Sequence, residues 1–197
     1  MTDTPRGGRS SQAATREKLT RAAAELIAEL GWGRVTTRAV AERAGVPHGA
    51  VSYHFNGKQD LLIESCLAAF ADAVSLEEYA AQATIEDIVT LIGAEVGQGL
   101  EAHAVLGRLM FEAMREAERD EALRERLQAM IGQYREVLVA VVRAEQERGR
   151  VPATVSAEGI ATLVTAVGDG LYLHALIDRD LPVDEALDAL RALLAAR

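Results

Sequence analysis

Cysteine occurs once in the 197 residues, at Cys66, so the chain can form no internal disulfide. Its neighbours Ser65 and Leu67 supply no base, and a buried structural thiol is expected before a nucleophile or a redox sensor. The lone cysteine and the four histidines show no zinc spacing, so neither metal nor cofactor is expected. The longest aliphatic run, Val137 to Val142, falls far short of the ~20 residues of a membrane span. The first residues carry no apolar leader. A soluble cytoplasmic protein with no membrane partner is therefore expected. No phosphate-loop or nucleophile-elbow pattern is present. Asp169 and His174 are five residues apart on one predicted helix, roughly 500° of rotation, and do not share a face. No catalytic residues are assigned, and an enzyme is not expected.

Basic charge is also short. Lysine and arginine number 21 against 30 acids, a net charge of −9. The deficit is uneven, because residues 1–60 hold nine basic and six acidic side chains, a surplus of +3, which leaves −12 for the remainder. A basic head on an acidic body fits local phosphate binding and disfavours an architectural protein that wraps DNA. A merely solubilising acidic surface is the plainer alternative.

What the chain does have is aliphatic content. Aromatics are 4% and prolines four, while 49% of residues are hydrophobic. Such a core rests on Ala, Leu, Val and Ile packed between helices, and Ala is the best helix former. The expected fold is all-α with about nine helices. Residues 1–14 read as a disordered basic arm, rich in Gly, Ser and Arg. A helix from about Thr15 to Leu30 carries an apolar stripe of Leu19, Ala22, Ala23, Leu26, Ile27 and Leu30, and Gly31 stops it. Thr36 or Thr37 caps a short helix to Ala44. Gly45-Val46-Pro47 turns the chain, and a second short helix starts near Pro47. Val40, Val51 and Phe55 face inward. Asn56-Gly57 breaks that helix, and further helices are expected over 58–73, 84–101, 104–116, 119–148, 156–178 and 183–196.

Two short helices joined by a Gly-containing turn form a helix-turn-helix, whose second helix fits the major groove of DNA. Small residues at its start, Pro47-His48-Gly49-Ala50, let the helix approach the bases. Gly31, Thr36, Val40, Ala41, Ala44-Gly45-Val46, Gly49, Tyr53-His54-Phe55, Lys58 and Leu61-Leu62 stand at fixed, ungapped spacing. Through these residues the stretch 15–62 resembles the tetracycline-repressor (TetR) family of regulators.

The resemblance implies a helix-turn-helix domain over 15–62 and a helical ligand-binding and dimerisation domain over 63–197. It places Thr36, Thr37 and Arg38 at phosphate and base-edge positions, and Pro47, His48 and Gly49 at the groove end of the recognition helix. It makes Tyr53, His54 and Lys58 a phosphate clamp. Ala50 stands where the family often has Thr or Ser, and Ser52 where Tyr is commoner. Arg6, Arg9 and Arg16 are candidates for a neighbouring groove. The implied partners are a pseudo-palindromic operator, a second copy of the chain and a partly apolar small-molecule effector.

The last two helices are the dimer candidates. Ile160, Leu163, Val164, Val167 and Leu171 spread over more than one face of the first, and Leu187, Leu190 and Leu194 form a stripe on the second. Candidate pocket residues are Cys66, Phe70, Met110, Phe111, Met114 and Tyr134, with His103, Asp169, Tyr172 and His174 as polar anchors. A wholly internal core would explain the same apolar stripes. Gly93, Gly97 and Gly99 either leave room for a ligand or let helices pack closely, packing being slightly preferred.

Overall fold

The computed structural model describes residues 7–73, 80, 84–102 and 104–195. Every regular element among them is helical: α1 (Gly7–Leu30), α2 (Thr37–Ala44), α3 (Gly49–His54), α4 (Lys58–Ala73), α5 (Ile85–Ala102), α6 (Ala104–Ala117), α7 (Glu121–Glu147), α8 (Ala157–Ile177) and α9 (Val183–Ala195). A 3-10 turn, Trp32–Arg34, follows α1. From α4 onward the helix bounds agree with the sequence reading to within two residues.

The exception is α1, which begins at Gly7 rather than near Thr15. Ala13 and Ala14 are strong helix formers, and the early turns gain partners. The Thr15 hydroxyl donates to the Ser11 carbonyl at 2.9 Å, and Gln12 donates from Nε2 to the Tyr53 hydroxyl at 2.9 Å. Propagating a packed helix costs little once its nucleus exists.

The chain forms two compact units. The first comprises residues 1–73 and 108–126, and the second 74–107 and 127–197. In the first, Leu19, Ala23, Ile27, Trp32, Val40 and Phe55 are buried, with Leu61, Leu62 and Cys66 from α4. The inward positions assigned to Val40, Val51 and Phe55 are therefore occupied as expected. The helix-turn-helix is set by local chemistry. The Thr36 side chain accepts from the Ala39 N–H at 3.2 Å and caps α2. Gly45 closes it in the left-handed region, φ 65°, where a Cβ would be strained. Ala50 N–H donates to the Pro47 carbonyl at 2.9 Å, so the turn leads directly into α3.

The second unit is a helical core built on Ile88, Val89, Ile92, Val142, Ala161 and Val164. Its helices approach closely at two glycines. A Cβ on Gly93 would come within 2.8 Å of Leu187, and one on Gly107 within 2.6 Å of the Tyr172 ring. Gly93 thus serves packing.

Candidate nucleic-acid interface

The first unit presents most of the predicted DNA-reading side chains to solvent. Thr36, Arg38, Pro47, His48, Gly49, Ser52 and Tyr53 are exposed, and Thr37, Ala50, His54 and Lys58 are half-buried. Tyr53 is 69% exposed, with its ring and hydroxyl accessible to a partner. The ring is held rather than loose. Gln12 donates to its hydroxyl, and His54 stands against it edge to face at 5.0 Å. The starts of α2 and α3 are tied by Thr37 Oγ1 and His48 Nε2, 3.4 Å apart. Lys58 opens α4 and donates from Nζ to the Gly33 carbonyl at 3.1 Å. Its partner is neutral, so the ammonium charge is left for an anion at a helix N-terminus.

Other basic residues of residues 1–60 are spent inside the unit. Arg43 grips Glu29 through two nitrogens at 2.9 and 2.8 Å and reaches Glu25 at 3.3 Å, bracing α2 against α1. The Arg43 hydrogen bonds hold the Glu29 carboxyl below its usual range. Arg16 pairs with Glu64 at 2.7 Å and lies over the Phe55 ring at 5.1 Å. Its side chain stays 45% exposed. Arg6 and the Arg9 side chain lie outside the described residues. The +3 surplus of the head is therefore concentrated on fewer side chains than the sequence count suggested.

Residues 19–64 match the family model "Bacterial regulatory proteins, tetR family". Residues 99–197, half of the chain, match the model "BetI-type transcriptional repressor, C-terminal". The chain belongs to the TetR family. No curated protein matches it. Solved structures share the TetR fold over nearly the whole length. A TetR transcription regulator from Haloarcula marismortui is 22% identical, with a TM-score of 0.76 and coverage of 93% of this chain and 97% of that one. The regulator FadR from Bacillus subtilis, in complex with stearoyl-CoA, is 18% identical, with a TM-score of 0.75 and coverage of 91% and 97%. NalD of Pseudomonas aeruginosa, secondary repressor of the MexAB-OprM multidrug efflux pump, is 22% identical, with a TM-score of 0.69 and coverage of 91% and 94%.

The predicted pocket residues fall in both units. Cys66 and Phe70 are packed into the first unit's core, and burial pushes the Cys66 thiol up to about 12. Phe111 and Met114 are 46% and 42% exposed, and Met110 is half-buried. In the second unit Tyr134 and Tyr172 are half-buried and His174 is exposed. Asp169 keeps an open surface, yet the protein around it pushes its carboxyl upward. His103, Gly97 and Gly99 lie outside the described side chains.

The dimer candidates divide between two faces. Ile160, Val164 and Leu187 are buried in the second unit's own core, and Leu171, Leu190 and Leu194 pack against it. The outward stripe of α8 holds the candidates Leu163 and Val167 together with Ala166, Gly170, His174 and Ile177. Their spacing, i, i+3, i+4, i+7, i+11 and i+14, keeps them on one face. Leu163 is 64% exposed, Ile177 86% and, on α9, Leu193 75%. Helix α8 is long and apolar enough to cross a membrane by length and composition, but only 22% of that stretch is buried within one chain.

Proposed function

We propose that this TetR regulator is a homodimeric repressor that reads a pseudo-palindromic operator with α3 and is released by a small molecule. The observation that carries the reading is Tyr53. A large ring is held at the surface by Gln12 and His54, in the same unit as the exposed His48, Gly49 and Ser52 of the turn and α3. On this reading His48, Gly49 and Ser52 face base edges in the major groove, and Thr36, Thr37, Tyr53, His54 and Lys58 take phosphates. Arg38 contacts a base edge, and Pro47 and Ala50 let the helix approach closely. The head is residues 15–62, and residues 63–197 carry the ligand and dimer functions.

Two-fold pairing supplies the second half-site, one turn of DNA away, ~34–36 Å. The α8 stripe supports this. Ala166 and Gly170 permit close helix approach, while Leu163 and Ile177 supply apolar area. The stearoyl-CoA bound to the Bacillus subtilis regulator supports a small-molecule effector for this fold. Release then requires the effector to bind the non-operator state more tightly than the operator-bound one.

Salt dependence tests the phosphate assignment. Lys58→Gln is expected to weaken specific and random duplex alike and to reduce the slope of log K against log salt by about 1. Fluorescence anisotropy across a salt series measures it. An unchanged slope would remove Lys58 from the interface.

A further inference from the structure

Gln12 lies outside residues 19–64, the stretch that matches the regulator family, and inside the stretch that reads from the sequence alone as a disordered arm. The fold gives it a fixed place. It stands in the second turn of α1, on a face made by Gln12, Arg16, Leu19 and Ala23, at i, i+4, i+7 and i+11. Leu19 and Ala23 are buried in the first unit. Gln12 is the exposed end of an otherwise packed face.

The next turn of that face is anchored to both neighbouring helices. Arg16 pairs with Glu64 of α4 at 2.7 Å and lies over the Phe55 ring at 5.1 Å. Phe55 directly follows α3 and is buried. The end of α3 is thus held one helical turn along α1 from Gln12. From there Gln12 reaches across 41 residues of sequence, donating from Nε2 to the Tyr53 hydroxyl at 2.9 Å.

The direction of that bond matters. A phenol has one hydrogen to donate and lone pairs with which to accept. The Gln12 amide takes a lone pair, and the hydroxyl makes no second hydrogen bond among the described residues. Its own hydrogen is left for an acceptor outside the protein. A phosphate oxygen is such an acceptor, and its charge strengthens the bond it receives. A hydroxyl that already accepts an N–H is polarised and donates more strongly. His54, edge to face at 5.0 Å, flanks the ring.

We propose, on the reading of Tyr53 as a phosphate ligand, that Gln12 is a positioning residue for DNA binding. Its amide orients the Tyr53 hydroxyl so that the hydrogen faces a backbone phosphate. Gln12 acts through Tyr53, in a chain from amide N–H to phenol O–H to phosphate oxygen.

A double-mutant cycle tests this with the full chain, by fluorescence anisotropy on the duplex that the wild type selects from a random-sequence pool. Gln12→Met keeps the length and helix propensity of the side chain and removes the amide. Tyr53→Phe removes the hydroxyl alone. Tyr53→Phe should weaken binding by about tenfold, and Gln12→Met by about threefold to tenfold. The double variant should bind no more weakly than Tyr53→Phe, because the amide then has nothing to orient. The Tm of Gln12→Met should equal that of the wild type, since the contact is exposed. Unchanged affinity in Gln12→Met beside a weakened Tyr53→Phe would overturn the positioning role and leave the DNA reading standing. An equal loss from Gln12→Met in both backgrounds, or a fall in its Tm, would also overturn it. Undiminished binding by Tyr53→Phe would remove Tyr53 and Gln12 together, and failure of the wild type to select any duplex would overturn the DNA reading itself.

Discussion

Leu163→Glu is expected to abolish the proposed dimer, leaving a folded monomer, and to lower operator affinity by about 10²–10⁴-fold. Leu163 is 64% exposed on the outward stripe of α8 and makes no part of the chain's own buried core. The substitution therefore leaves the second unit intact while placing a charge where two copies would meet. An unpaired charge in a desolvated seam is costly. Operator affinity falls because each head then binds alone. Joining two heads makes the second contact intramolecular, and that gain is of the stated size. Sedimentation measures the state of assembly, circular dichroism the helices, and anisotropy the affinity. A Leu163→Glu protein that still sediments as a dimer would move the seam elsewhere. Ile160→Glu is the instructive contrast. That residue is 6% exposed in the internal core, so its loss should unfold the unit rather than dissociate it.

Trp32→Ala carries the second large effect, on stability. Trp32 is 2% exposed, and its indole N–H donates to Gln59 Oε1 at 3.3 Å. Gln59 in turn donates to Asp120, which caps α7 by accepting the Leu123 N–H at 2.9 Å. Truncation empties a large cavity and leaves Gln59 short of a donor. Phe/Trp→Ala changes in cores cost about 3–5 kcal/mol, a large share of the ~5–15 kcal/mol that holds a domain together. A fall in Tm of roughly 10 °C is expected for a chain of this length. Trp32→Phe keeps most of the volume and should lose far less. A Trp32→Ala protein that melts with the wild type would contradict the packing described for the 3-10 turn. Because the turn also receives Lys58 through the Gly33 carbonyl, operator binding should weaken with it.

Much of this was legible in the sequence, and the limits have a physical shape. Helix bounds from α4 onward follow from periodicity, and the Thr36 cap and Gly45 stop follow from short-range chemistry. The helix-turn-helix was readable because its roles sit at fixed spacing along one stretch. Long-range pairings were not. Nothing local says that Arg16 reaches Glu64, 48 residues on, or that Glu112 caps a turn 80 residues earlier. Helix α8 shows the same limit in another form. Its sequence is apolar on two faces, and only packing reveals that Ile160 and Val164 turn inward while Leu163 and Ile177 turn out.

The most direct test of the central claim is selection of bound duplex from a random-sequence pool, followed by affinity measurement against scrambled DNA at physiological salt. The account predicts a pseudo-palindromic site bound by a dimer about 10³-fold or more above scrambled duplex. That preference should collapse in His48→Ala and Tyr53→Ala. Equal affinity for selected and scrambled DNA, or a preference untouched by those substitutions, would contradict it.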